Sequence, residues 1–150
     1  MNTYSHWDVL FASPTEPLSL KERHYHLTRI WFAFKNIESG KEPTLRDWES
    51  VADAINMMDT MLDLNLVEDE DHIIEDSIMA LAKCADRAIK GAHFRLDGPA
   101  ITLIRGILED YADILETLPQ RTVIKVHRFT EKRLDKVIKQ KKVFRARVNL

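Results

Sequence analysis

The chain holds one cysteine, Cys84, so no internal disulfide can staple it, and a reducing compartment is expected. Glycine and proline are scarce, four and five in 150 residues, which leaves few turns and favours long helices. No apolar run approaches the ~20 residues of a membrane span. The opening residues, MNTYSHWDVLF, lack the positive start and long apolar stretch of a signal peptide. A soluble cytoplasmic protein with no membrane contact is expected. There is also no glycine-rich phosphate loop, no GxSxG elbow and no CxxC pair, which removes the commonest nucleotide, hydrolase and thiol-redox readings.

What the chain does hold is helical periodicity. Its length suits one domain with a proper core, and 45% of its residues are hydrophobic. The stretch Thr44 to Leu66 is the centre of the pattern. Thr44 with Asp47 three residues on forms a capping-box start, and Trp48, Val51, Ala52, Ile55, Met58 and Leu62 recur at helical spacing. Ala54, Met57 and Met61 lie beside that row. A stripe so wide predicts a helix covered on most of its circumference, central to a bundle.

The spacing predicts four further helices. The first runs from about Ser19 to Ser39, burying Leu20, Leu27, Ile30, Trp31, Phe34 and Ile37, with Gly40 as its left-handed stop. Another spans about Asp69 to Lys90, with Ile74, Ile78, Leu81, Ala82, Ala85, Ala88 and Ile89 inward. A third begins after Asp97 as N-cap with Pro99 in its first turn and ends near Leu118. The last covers about Arg121 to Lys141. The expected fold is all-α: a compact four- to five-helix bundle over residues 19–141, behind an irregular N-terminal arm of residues 1–18. Residues 142–150 alternate apolar and polar and read as an extended, basic tail, able to pair with His93–Leu96.

Charge is segregated along the chain. Residues 1–119 hold 11 Lys/Arg against 22 Asp/Glu, whereas residues 120–150 hold 11 Lys/Arg against Glu131 and Asp135 alone. The net of −2 is therefore a region of −11 followed by one of +9. Between Asp47 and Asp76 there is no Lys or Arg at all. Such separation steers partners.

Two candidate contact surfaces follow. The acidic one comprises Asp59, Asp63, Glu68, Asp69, Glu70, Asp71 and Glu75, a rigid row of carboxylates that could occupy a basic groove on a protein partner. The basic one comprises Arg121, Lys125, Arg128, Lys132, Arg133, Lys136, Lys139, Arg145 and Arg147, a ridge that could follow phosphates, with Phe129 and Phe144 for stacking. Plain solvated faces, or docking of one surface on the other within or between chains, are the simpler readings. The acidic remainder opposes nucleic acid.

No catalytic constellation is assembled by spacing. Asp69-x-x-His72 resembles half of a carboxylate-bridged metal site but occurs once, and His24 and His26 point to different sides of a helix, so no metal or cofactor is expected. Cys84 in mid-helix reads as a buried, inert thiol, His127 as a partly buried structural histidine, and the methionines as core filler.

One resemblance adds to this. The run W-x-x-V-A-D-A-x-N formed by Trp48, Val51, Ala52, Asp53, Ala54 and Asn56, the later Ala-rich helix with Arg87, and the step Phe94-Arg95-Leu96 into ILEDYADILETLP together resemble small helical proteins of bacterial temperate phages, prophages and plasmids. The similarity covers roughly residues 30–119 and stops at the basic tail. It implies an accessory protein and transfers no catalytic residue. The expected function is thus non-catalytic: binding and inhibiting a host or defence protein, with self-association through opposite charges expected and nucleic-acid binding by the basic segment as the alternative.

Overall fold

A computed structural model describes residues 4–148 of the chain, with side chains described as far as residue 137. The described residues form helices α1 (His6–Phe11), α2 (Leu20–Ser39), α3 (Leu45–Asp63), α4 (Ile73–Ile89), α5 (Gly98–Leu115) and α6 (Gln120–Val148). Among them no β-strand occurs, only an isolated antiparallel bridge between Pro17 and Pro119. No described helix is long and apolar enough to cross a membrane.

Helix α3 is central: from Val51 to Leu62 no residue is exposed, and even Asp53, Asn56 and Asp59 are half-covered. Thr44 accepts the Asp47 N–H at 3.2 Å while Asp47 accepts the Thr44 N–H at 2.9 Å, so the expected capping box forms. Beyond it Val51, Ala52, Ala54, Ile55, Met57, Met58, Thr60 and Met61 are all buried. The helix accordingly touches α2, α4, α5 and α6. Trp48 closes one end, its indole N–H donating to the Leu81 carbonyl at 3.0 Å. Cys84, Ile104, Leu108, Tyr111, Leu115 and Val126 complete the same core.

Helix ends follow their local chemistry. Ser19 caps α2, Asp97 caps α5, and Gly40 stops α2 with φ 66°, a left-handed conformation that glycine adopts without strain. Arg95 lies against Gly40 and donates to its carbonyl at 3.4 Å, while Arg87 donates to the Arg95 carbonyl at 2.7 Å. These two arginines tie the loop before α5 to the ends of α2 and α4.

Five sequence expectations are corrected. The N-terminal arm is not irregular throughout: Ser5 and Asp8 form a second capping box and start α1. Residues 142–148 are not extended, because α6 continues to Val148. No glycine or proline follows Pro119, and Lys, Arg, Gln and Ala propagate a helix well once it has nucleated. His93–Leu96 therefore has no strand partner. Helix α4 starts at Ile73, four residues later than expected, because Asn65 and His72 take left-handed φ values of 58° and 56° and the acids between them form a loop. Leu20 and Ile89, expected inside, are 75% and 83% exposed. Both sit roughly 90–100° around their helices from the centre of the buried stripe, at about 100° per residue. Helix α5 ends at Leu115, three residues short of Leu118.

Candidate functional site

The structure uses several of the candidate contact residues internally. Arg133 folds back onto α3, its guanidinium 3.0 Å from Asp59 and 3.1 Å from Asp63, and also donates to the Thr60 hydroxyl at 3.1 Å. The acidic and basic surfaces thus meet within one chain at this point. Arg121 is spent on α1, donating to the Val9 and Leu10 carbonyls at 3.1 and 3.2 Å, which satisfies the orphan carbonyls of a short helix. Asp69 accepts the Ile74 N–H through both carboxylate oxygens and so caps α4 from the preceding loop. Glu75 lies 3.4 Å from His72.

Glu68, Glu70 and Asp71 remain exposed in the loop between α3 and α4. On α6, Lys125, Lys132 and Lys136 are exposed and Arg128 is half-buried. The side chains of Lys139, Arg145 and Arg147 lie outside the described residues, although their backbone belongs to α6. Past Arg133, the residues Asp135, Lys136 and Val137 are all exposed. Three consecutive helical residues sweep about 200° of the circumference, so most of the helix surface there faces solvent, with Leu134 half-buried behind them.

A second group of titratable side chains lies between α2, α3, α5 and α6. The His26 Nε2 is 2.8 Å from the Tyr111 hydroxyl. Burial, reinforced by the charges of Arg29 and His127, lowers the His26 pKa and so favours the neutral imidazole. Burial likewise raises the ionisation of Tyr111 well above the usual phenol range, with Tyr4 and Asp53 adding to it. Asp53 on α3 is pushed up to about 6 by burial and then by Glu49, against the opposing charge of Arg29. Burial lowers His127, while its neighbour Glu131 favours the imidazolium. The Nδ1 of His127 and the Oε1 of Glu131 stand 3.5 Å apart, and neither makes a hydrogen bond among the described residues. The Tyr4 ring meets His127 edge-on with centroids 5.0 Å apart.

This cluster escaped the sequence reading. Its members come from four different helices, so no local spacing brings them together. The available signal was their position: Asp53 between two buried alanines, and His26 four residues before Ile30 on the covered side of α2. Chemically the group can hold and release protons near neutral pH. Tyr111, the hydroxyl addressed by a histidine, is however 1% exposed, beyond reach of a substrate. Cys84 is fully buried and its thiol pKa is raised by burial, opposite to what a nucleophile needs. Among the described residues no three His, Cys, Asp or Glu side chains are placed to hold one metal ion.

The fold and these groups define an all-helical bundle with titratable side chains packed between α2, α3, α5 and α6, and with opposite charges meeting where Arg133 of α6 bridges Asp59 and Asp63 of α3. Comparison of the chain with protein-family models, with curated proteins and with solved structures finds no match in any of the three.

Proposed function

We propose that this chain is a non-catalytic cytoplasmic accessory protein, of phage or plasmid type, which binds a host or defence protein and inhibits it by occupying a surface. The observation that carries the reading is the arrangement around the end of α3. There the carboxylates of Glu68, Glu70, Asp71 and Asp76 stand exposed on a loop and a helix start fixed by the Asp69 cap, and Arg133 anchors the cation-rich α6 to the last turns of α3. Charge of both signs on rigid supports gives electrostatic complementarity, which selects a partner and speeds encounter more than it adds affinity. The test is affinity capture of tagged full chain from host lysate, with and without nuclease. A discrete protein that survives nuclease supports the reading. Recovery of nucleic acid, with its proteins lost on digestion, refutes it.

The second reading is nucleic-acid binding by α6, favoured by Lys125, Arg128, Lys132 and Lys136, which recur at three- and four-residue spacing without internal ion-pair partners among the described residues. It requires salt-dependent binding to duplex DNA or RNA that falls when Lys132 and Lys136 become Ala. Arg133 is unsuited to that test because it holds α6 to α3.

A further inference from the structure

A groove of about 450 Å³ opens between the last turns of α3 and the first turns of α4. Leu62, Ile78 and Met79 give it apolar surface, with Met79 51% exposed, Asp69 and Glu75 give it negative charge beside His72, and Asp59, already paired with Arg133, stands at its lip. We infer that this groove receives the basic final stretch of α6 from a second copy of the chain, in a reciprocal two-fold dimer.

Charge complementarity names the occupant. Residues 59–76 carry eight Asp/Glu and no Lys or Arg. Residues 134–148 of α6 carry Lys136, Lys139, Lys141, Lys142, Arg145 and Arg147 against Asp135 alone. That stretch also contains Leu134, Val137, Ile138, Val143, Phe144 and Val148, apolar residues of the kind that a groove with exposed methionine accommodates.

Geometry says which copy supplies it. Arg133 is bonded to Asp59, so α6 passes the lip of the groove, yet Asp135, Lys136 and Val137 just beyond it are exposed. To turn back into its own groove α6 would have to break. It has no glycine or proline with which to do so, and it runs on for fifteen residues, about 22 Å, past Arg133. An unbroken helix that leads on past the lip of a complementary groove fits the groove of a neighbour. If each copy both gives and receives, the contact is isologous and closes at two. The inference concerns the purified chain alone and stands apart from any host partner.

The test is sedimentation equilibrium of the nuclease-treated full chain at about 50 mM and about 500 mM salt, since attraction between exposed charges is screened within a few ångström at the higher value. A dimer at low salt, with dissociation at least about tenfold easier at high salt, is expected. Glu70→Lys with Glu75→Lys on the groove side should give monomers, as should Lys139→Glu with Lys142→Glu on the arm. All four changes in one chain should restore the dimer. Circular dichroism confirms that each variant is folded, and any that is not is replaced by the milder Glu75→Gln or Lys142→Gln, for which weakened association is the expected result. A wild-type monomer at low salt overturns the proposal, and so does a dimer indifferent to either pair or a four-fold variant that stays monomeric. A monomer that instead binds added duplex DNA would assign the arm to phosphate.

Discussion

The hydroxyl of Thr130 on α6 stands 2.6 Å from the hydroxyl of Thr60 on α3, both buried in an otherwise apolar seam. Thr60 passes its own proton to the Asn56 carbonyl at 3.0 Å and accepts from Arg133 as well. Thr130 also lies 2.8 Å from the Val126 carbonyl. One hydroxyl on α3 therefore gathers two donors from α6 and fixes the register between the two helices.

Thr60→Val, which keeps the shape, should lower stability by about 0.5–1.5 kcal/mol, because two α6 donors lose a shared acceptor while Thr130 keeps the Val126 carbonyl and Arg133 keeps Asp59 and Asp63. Thr130→Val should cost less, since Thr60 keeps Arg133 and Asn56. The double variant should be less destabilised than the two singles summed. Urea unfolding midpoints at fixed slope measure all three, and strict additivity would refute the shared network.

Arg133→Met keeps the apolar stem of the side chain and removes the charge between Asp59 and Asp63. All three groups are partly exposed, so the loss should be about 1 kcal/mol at low ionic strength. It should shrink as salt rises, because screening weakens the pair in the wild type and the repulsion left in the variant. A loss independent of salt would mean that packing, not charge, holds α6 to α3.

The buried titratable groups oppose one another as pH falls. His26 and His127 have folded pKa values below their ordinary 6.5, so the unfolded chain binds more protons and stability drops as pH falls below about 6.5. Asp53 is raised from 3.8 to about 6, so the folded chain binds more protons and stability rises as pH falls from about 6 toward 3.8. Asp53→Asn should therefore stabilise the protein at pH 7 and lose that advantage near pH 4. His26→Gln should flatten the decline below pH 6.5. Thermal midpoints across pH 4–8 decide both, and a constant offset for Asp53→Asn would refute the assignment.

Gly40→Ala places a side chain on a residue with φ 66°, and its Cβ would lie 3.2 Å from the Arg95 Nε. The strain and the displaced arginine together should cost about 1–2 kcal/mol. Gly91, whose φ is 96° but whose surroundings are open, is the control for backbone strain alone. Equal losses at the two positions would show that the Arg95 contact contributes nothing.

Much of the fold was legible because local signals matched local structure. Thr44 with Asp47, Ser19, Gly40, Asp97 and Gly91 each mark a boundary that the structure keeps. The unread parts share a cause: they depend on residues far apart in sequence. Ser5-x-x-Asp8 carries the same capping signature as Thr44-x-x-Asp47, but six residues do not hold a helix alone, and α1 is stabilised by docking Val9 and Ala12 on Ile124 and by the Arg121 bonds to its end. Asp69 reads as the first turn of a helix and acts instead as a cap from outside it. The His26–Tyr111 bond spans 85 positions, and the Arg133 bridge to Asp59 spans 74. Alternation in the last residues suggested a strand, where helix propagation decided the outcome.

The clamp on the N-terminal segment has a consequence for the order of events during synthesis. Ser13 donates its N–H to Gln120, Gln120 to the Glu16 carbonyl, and Arg121 holds the end of α1, contacts that close loops of more than a hundred residues. The ribosome must therefore deliver four-fifths of the polypeptide before α1 has anywhere to sit. Until then Val9 and Ala12, which dock on Ile124, stay uncovered on the nascent chain beside Trp7, Leu10 and Phe11, which remain exposed even after folding, so a chaperone that meets the emerging chain finds one largely apolar segment.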